Sequence, residues 1–217
     1  MVAYYPLMVD LGGKRCLVVG GGEVAERKVE TLFGFGAAVV VVSPSLTPLL
    51  EELAAQGRII VHRRTYQEGD VKGSFLAIGA TDDRVANAQL SKEAKAEKIP
   101  VNIVDDPELS TFIAPSIIQR GDLVIAISTG GVSPALAKRI RKELEERYNK
   151  EYGEFLDALH KVRERAKREI ADPLRRKELL TTIARLDSFE LFRHDRSAWQ
   201  ERAEALFQQP RSVVTYD

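Results

Sequence analysis

The chain has 217 residues, which suits one full domain with a smaller appendage better than two large domains. Its 44% hydrophobic and 29% charged residues are typical of a globular protein, and 32 basic against 32 acidic residues leave no net charge to attract nucleic acid or an anionic membrane. Residues 1–11 lack a leader pattern, no apolar run reaches about 18 residues, and the single cysteine, Cys16, cannot form a disulfide within the chain. These features predict a cytoplasmic protein in which Cys16 is a buried apolar residue.

Between Lys14 and about Asn102, short β-branched runs alternate with helix-like stretches, a pattern that predicts βαβ units and a parallel sheet covered on both faces. The predicted strands are Arg15–Val19, Ala38–Val42, Ile59–His62, Phe75–Ile78 and Val101–Val104. The helices predicted between them are Val24–Phe33, Thr47–Gln56 and Arg84–Glu97. We therefore expect an α/β fold with a Rossmann-type, doubly wound parallel sheet.

A further apolar run, Leu123–Ile127, precedes a helix that is predicted from about Ala135 to Tyr148. Ser133 is suited to cap this helix, and Pro134 suits its first turn. The C-terminal third is predicted to be helical throughout, with a break at Asp172-Pro173.

A G-x-G-x-x-A pattern, Gly20-Gly21-Gly22-Glu23-Val24-Ala25, lies directly between the first predicted strand and the first predicted helix. Gly20 permits a tight turn, Gly22 lets the backbone approach a pyrophosphate, and Ala25 keeps the helix close to the strand. Free N–H groups at the helix start would meet the phosphate charge. The pattern predicts a dinucleotide site; the alternative is a flexible turn that binds nothing.

The residue that usually binds the adenosine ribose is an acid about 20 residues further on, at the end of the second strand. Here that place reads Val42-Ser43-Pro44-Ser45, where a serine hydroxyl could replace the carboxylate. The missing acid leaves the choice between NAD and NADP open, although the lack of an arginine at this turn favours NAD.

Asp105 falls at the carboxyl end of the fifth predicted strand, the edge at which open α/β sheets bind ligands. An aspartate there could accept a proton while a hydride leaves a neighbouring carbon. The segment Asp105-Asp106-Pro107 is equally typical of a turn, so the sequence leaves both interpretations open.

The loop Thr129-Gly130-Gly131-Val132-Ser133 also places glycines and hydroxyls before a helix, which would suit either an anion or a plain helix cap. Basic residues follow on that helix and could pair with substrate carboxylates or simply face solvent: Lys138, Arg139, Arg141 and Lys142. The three histidines have no ligand spacing, so no metal site is predicted.

Together these blocks resemble the precorrin-2 dehydrogenases of sirohaem biosynthesis, including the dehydrogenase part of the multifunctional sirohaem synthases. The resemblance extends over about Leu7 to Glu145 in order and spacing, while the C-terminal third is similar only in being helical. It is carried by the glycine loop continued through Glu26-Arg27-Lys28, and by Ala80-Thr81-Asp82-Asp83, Asn102-Ile103-Val104-Asp105, Phe112-Ile113-Ala114-Pro115-Ser116 and Ser128-Thr129-Gly130-Gly131-Val132-Ser133-Pro134.

The resemblance implies NAD-dependent oxidation of precorrin-2 to sirohydrochlorin in a homodimer, with Asp105 matching the essential aspartate that acts as general base. The residues expected to bind NAD are Gly20, Gly21, Gly22, Glu23, Val24, Ser43, Pro44, Ser45, Thr81 and Asp82. Those expected to bind the carboxylate-rich macrocycle are Asn102, Ser128, Thr129, Gly130, Arg120, Lys138 and Arg139. Thr129 stands where some relatives have a phosphorylated serine.

We accordingly expect three parts: an NAD-binding Rossmann domain over residues 1–113, a dimerisation segment with the anion-binding loop and basic helix over 114–150, and a helical C-terminal domain over 151–217. Two alternatives stay open on the sequence. One is an enzyme that also inserts ferrous iron into the product, and the other is a non-enzymatic NAD-sensing Rossmann module.

Overall fold

The computed structural model describes residues 4–209. Its first part contains a parallel sheet of five strands in the order β3-β2-β1-β4-β5. The strands are β1 (Arg15–Val19), β2 (Ala38–Val42), β3 (Ile60–His62), β4 (Leu76–Gly79) and β5 (Val101–Ile103). Because the order reverses between β1 and β4, the predicted doubly wound Rossmann sheet is confirmed, and its ligand crevice is expected at their carboxyl ends. β1 and β2 have the predicted bounds, β3 and β5 are each one residue shorter at one end, and β4 is shifted by one residue at both ends.

Three helices connect these strands: α1 (Glu23–Gly34), α2 (Pro48–Ala55) and α3 (Arg84–Ala96). Successive side chains of a strand point to opposite faces, so both faces of the sheet are buried. Cys16 and Val18 pack with α1 and α2, whereas Leu17 and Val19 pack with α3. Cys16 is fully buried, which raises the pKa of its thiol to about 11 and confirms its interpretation as an apolar core residue.

A separate antiparallel hairpin follows, formed by β6 (Ser116–Arg120) and β7 (Leu123–Ile127). The sequence pattern predicted β7 as an apolar run but gave no signal for β6. Next comes α4 (Pro134–Arg147), and the Ser133 hydroxyl accepts a hydrogen bond from the Leu136 N–H at 3.2 Å. The predicted cap of this helix is therefore confirmed.

The remaining described chain is helical, as predicted: α5 (Lys150–Glu169), α6 (Pro173–Ile183), α7 (Leu186–His194) and α8 (Arg196–Gln208). The predicted break is confirmed, since Asp172 caps α6 and Pro173 is its first residue. These helices enclose their own core, in which Phe155 and Phe192 pack around Trp199 with ring centroids 5.2–5.9 Å apart.

Contact clustering divides the chain into two compact units. The first unit ends at Ala114 and also takes in Gly130–Val132, and the second comprises Pro115–Thr129 and the chain from Ser133 onward. The three-part division at residues 113 and 150 stays a prediction. Within residues 4–209, no helix has both the length and the apolar content to cross a membrane.

The buried hydrogen bond from Trp199 Nε1 to Ser188 Oγ, 3.0 Å long, gives a test of the helical core. Ser188→Ala leaves the buried indole N–H without an acceptor and should lower the free energy of unfolding by about 1–3 kcal/mol. Trp199 is the single tryptophan, so its fluorescence during urea denaturation reports directly on this core. The exposed Ser197→Ala is the matched control; equal stability of the two variants would contradict the prediction.

Candidate active site

Gly20 is held against the end of β4. Its φ of +123° is a conformation that L side chains rarely adopt, and a Cβ there would lie 2.2 Å from the Ala80 carbonyl oxygen. The Gly20 N–H donates to the Val42 carbonyl at 3.0 Å. Gly20 therefore fits between the ends of β2 and β4, where a side chain would clash with the backbone after β4.

Gly21 is held in the same way against the loop that follows β2. A Cβ on Gly21 would lie 2.0 Å from the Ser45 carbonyl oxygen and 2.7 Å from Ser43 Oγ. The Thr47 N–H donates to the Gly21 carbonyl at 3.0 Å, and the Thr47 hydroxyl donates to the Glu26 carboxylate. The glycine loop and the loop 43–47 consequently form one packed layer at the carboxyl edge of the sheet.

Gly22 is the open member of the three glycines. It is exposed, a Cβ there would meet nothing within 4 Å, and it precedes α1 as the N-cap. Gly22 has no side chain to accept from the first N–H groups of α1, so these groups and the positive end of the helix dipole are available to an anion. Glu23 and Val24 are exposed on the same first turn.

Ser43 and Ser45 have different environments at the end of β2. Ser43 is buried, and its hydroxyl donates to the Ser45 carbonyl at 2.7 Å. Pro44 and Ser45 are exposed. Of the two serines, Ser45 has the hydroxyl that a ligand could reach, while Ser43 fixes the shape of the loop.

The segment after β4 lies beside Gly20. Thr81 Oγ1 accepts from the Asp83 N–H at 3.2 Å, and Asp83 in turn caps α3. The Asn87 amide donates to the Thr81 carbonyl at 2.9 Å. Thr81 is thus fixed on both sides, whereas Asp82 is exposed.

Asp105 and Asp106 take different roles in the turn after β5. Asp106 Oδ1 accepts from the Leu109 N–H at 3.1 Å and stabilises the turn. Asp105 has a φ of +59°, a left-handed conformation that aspartate and asparagine tolerate better than most residues. Its exposed carboxylate makes no hydrogen bond or ion pair within the described chain. The predicted turn is therefore present, and it exposes Asp105 to solvent at the carboxyl edge of the sheet.

Lys28 on α1 interacts electrostatically with Asp105. Burial, and then the neighbouring Arg27, lowers the pKa of the Lys28 ammonium, while the Asp105 carboxylate acts in the opposite direction. Lys28 was given no predicted role, although it lies in the block that follows the glycine loop. Asn102, in contrast, donates its amide to the Phe112 carbonyl at 3.1 Å and so fixes the chain beside β5.

Of the other predicted substrate residues, Gly130 belongs to the first unit and the rest to the second. Thr129 Oγ1 donates to the Ser133 carbonyl at 3.0 Å and accepts from the Ser133 N–H at 3.1 Å, which closes the loop before α4. Gly130, at a φ of +62°, makes the turn inside this loop, and Ser128 just before it is exposed.

The predicted cations of the second unit differ in what they bind. Arg120 donates to the Gln119 carbonyl at 2.9 Å, but its Nε is buried without a hydrogen-bond partner among residues 4–209. Arg139 pairs with Glu143 at 3.3 Å on the exposed face of α4, where Lys138 is also exposed. The first unit therefore contains the predicted NAD-binding residues together with Asn102 and Asp105. The second unit contains the three cations predicted to bind substrate carboxylates.

Two sequence families match the chain. Residues 7–116 match the family described as "Putative NAD(P)-binding", and residues 120–147 match the family described as "Sirohaem biosynthesis protein central". The first match covers the whole parallel sheet with its glycine loop, which assigns this part of the chain to a NAD(P)-binding domain.

Siroheme synthases are among its relatives. That of Methylobacillus flagellatus is 44% identical over 162 residues, which are 75% of this chain and 35% of the relative. That of Pseudomonas entomophila is 46% identical over 164 residues, 76% of this chain and 35% of the relative. The chain thus spans about a third of the length of these curated relatives.

Among solved structures, "SirC, precorrin-2 dehydrogenase" has a TM-score of 0.78 and 31% identity, over 93% of this chain and 100% of that one. The family resemblance inferred from the sequence blocks is therefore confirmed. The chain belongs to the family of NAD(P)-binding proteins that comprises precorrin-2 dehydrogenase SirC and the matching part of the siroheme synthases.

Proposed function

We propose that the protein oxidises precorrin-2 to sirohydrochlorin with NAD as the hydride acceptor, and that Asp105 is the general base. The observation that carries this proposal is the juxtaposition, in one unit, of an open glycine loop at the start of α1 and an exposed carboxylate at the end of β5. Both lie at the carboxyl edge of the sheet, where open α/β folds bind their ligands. Membership of the family supports the same conclusion.

The glycine loop fits a dinucleotide in shape and charge. The pyrophosphate would approach Gly22, where no Cβ stands in the way, and accept hydrogen bonds from the first N–H groups of α1. Pro44 and Ser45 would border the adenosine ribose, and Thr81 with Asp82 would border the cofactor from the β4 side. When bound, NAD accepts the hydride.

Asp105 is suited to remove the proton that accompanies hydride loss. Its carboxylate is exposed and has no hydrogen bond within the described chain to break before it accepts a proton. The neighbouring Asp106 already holds the turn, so Asp105 is free for the reaction. The enzyme mainly needs to align a ring carbon with the nicotinamide and to accept one proton.

The macrocycle is rich in carboxylates, so its binding requires cations. We assign this role to Arg120, Lys138 and Arg139. The buried Nε of Arg120 lacks a partner among the described residues, which supports its use by a ligand group, while Lys138 and Arg139 are exposed on α4.

We also propose that the protein is a homodimer, formed through the hairpin β6–β7 and α4. The apolar stripe of α4 supports this, because Leu136 is 39% exposed and Ile140 and Leu144 are only half-buried within one chain. Light scattering after size-exclusion chromatography should give twice the mass of one chain. A single-chain mass at micromolar concentration would contradict the dimer.

The activity is tested by anaerobic incubation of the protein with precorrin-2 and NAD, following the absorption spectrum for sirohydrochlorin. Formation of the product is expected, and an unchanged spectrum would contradict the enzyme and favour a module that only senses NAD. Subsequent addition of ferrous or cobaltous ion shows whether the protein also accelerates metal insertion.

Asp105→Asn tests the general base. Asparagine tolerates the left-handed backbone and keeps the size of the side chain, so NAD binding and the fold should be unchanged. Loss of the proton acceptor should lower turnover by about 100-fold or more. The matched control is Asp106→Asn, which keeps the acceptor for Leu109 and should turn over normally. Full activity of Asp105→Asn would show that another group takes the proton.

Gly22→Asp tests the pyrophosphate site. The new side chain has room, and aspartate is a favourable N-cap, so the melting temperature should be maintained or raised. Calorimetric titration should nevertheless show no NAD binding, because a carboxylate would occupy the anion position. Gly34→Asp adds the same charge at the far end of α1 and should bind NAD normally. Unchanged affinity of Gly22→Asp would place the pyrophosphate elsewhere.

A further inference from the structure

Two arginines follow β3 directly, beside the loop proposed to hold the adenosine ribose. In the parallel register Val42 pairs with His62, and the Ser43 N–H donates to the His62 carbonyl at 3.1 Å. The next residue after His62 is Arg63. The sequence showed no arginine at the turn after β2, but the sheet places one at the adjacent strand end.

The guanidinium of Arg63 is already occupied. Both of its terminal nitrogens donate to the Glu51 carboxylate, with Nη1 and Oε1 2.6 Å apart. Glu51 lies in α2, the helix whose start is fixed to the glycine loop by the hydrogen bond from the Thr47 N–H to the Gly21 carbonyl. The pair is held close to the ribose loop, and with 54% and 45% of the two side chains exposed it remains open to a ligand.

Arg64 is engaged in a different direction. Its guanidinium makes two hydrogen bonds of 2.7 Å to Asp70, whose side chain is only 12% exposed. This pair belongs to the packing around the segment after β3. Arg63 is therefore the arginine that could reach an anionic group at the ribose if its exposed pair with Glu51 were broken.

We infer that the Glu51–Arg63 pair makes the protein select NAD over NADP. This inference rests on the proposed function, and it identifies the two residues that determine which dinucleotide the protein binds. NADP differs from NAD by a phosphate on the adenosine ribose, and an arginine fork near the end of β2 is what usually binds that phosphate. Glu51 occupies both arms of the Arg63 fork and adds a negative charge that repels the phosphate.

Electrostatics supports this role for Glu51. The hydrogen bond from Arg63 lowers the pKa of the Glu51 carboxyl, so the group is ionised at neutral pH. A serine rather than an acid follows β2, and Glu51 thus supplies from α2 the negative charge that other Rossmann domains carry at this strand end.

The test compares NAD and NADP affinities by calorimetric titration of the full chain. The unaltered protein should bind NAD more tightly. Glu51→Gln keeps the size of the side chain but removes its charge, so NADP affinity should rise by about threefold to fivefold, as expected for an exposed charge, while NAD affinity stays constant. Circular dichroism verifies that the variant is folded.

Two further variants make the result specific. Glu52→Gln removes the next carboxylate, which accepts from the Gln56 amide, and should leave the NAD to NADP ratio unchanged. In the double variant Glu51→Gln/Arg63→Leu, the gain for NADP should disappear because it depends on the released guanidinium.

Three outcomes would overturn the inference: a preference of the unaltered protein for NADP, an unchanged ratio in Glu51→Gln, or a gain that persists without Arg63. Failure of the unaltered protein to bind either dinucleotide would instead contradict the proposed function itself, and the inference with it. The two failures are thus distinguished by whether any dinucleotide binds.

Discussion

The candidate site depends on the close approach of three backbone segments at the carboxyl edge of the sheet. Gly20 lies against the carbonyl of Ala80, and Gly21 lies against the carbonyl of Ser45. A Cβ at either glycine would clash with that carbonyl oxygen. Only Gly22 faces open space. Two of the three glycines are therefore required by packing, and they hold the third, with the start of α1, where an anion can reach it.

The same arrangement explains why neighbouring residues of one type have different roles. Ser43 is buried and shapes the loop, whereas Ser45 is exposed to a ligand. Asp106 stabilises the turn after β5, which leaves the Asp105 carboxylate without an internal partner. In each pair one side chain hydrogen-bonds to the backbone and the other is exposed.

Local charge decides what the neutral chain can bind. Lys28 on α1 interacts electrostatically with Asp105, and Arg63, directly after β3, donates hydrogen bonds to Glu51. Both cations lie in the first unit, next to the proposed cofactor and base. The cations proposed for the macrocycle, Arg120, Lys138 and Arg139, belong to the second unit.

The sequence by itself determined the class of the fold, the glycine loop, the cap of α4 and the position of Asp105 at a strand end, because each depends on local periodicity or on neighbouring residues. The family followed from the order and spacing of those blocks. Only the tertiary structure decided that Ser43 is buried and that β6 pairs with β7. It also decided that Arg63, at the strand end adjacent to the loop after β2, is hydrogen-bonded to Glu51. Those facts depend on which strands become neighbours and how closely their loops pack. Such contacts join residues far apart in the chain, and local sequence patterns do not indicate them.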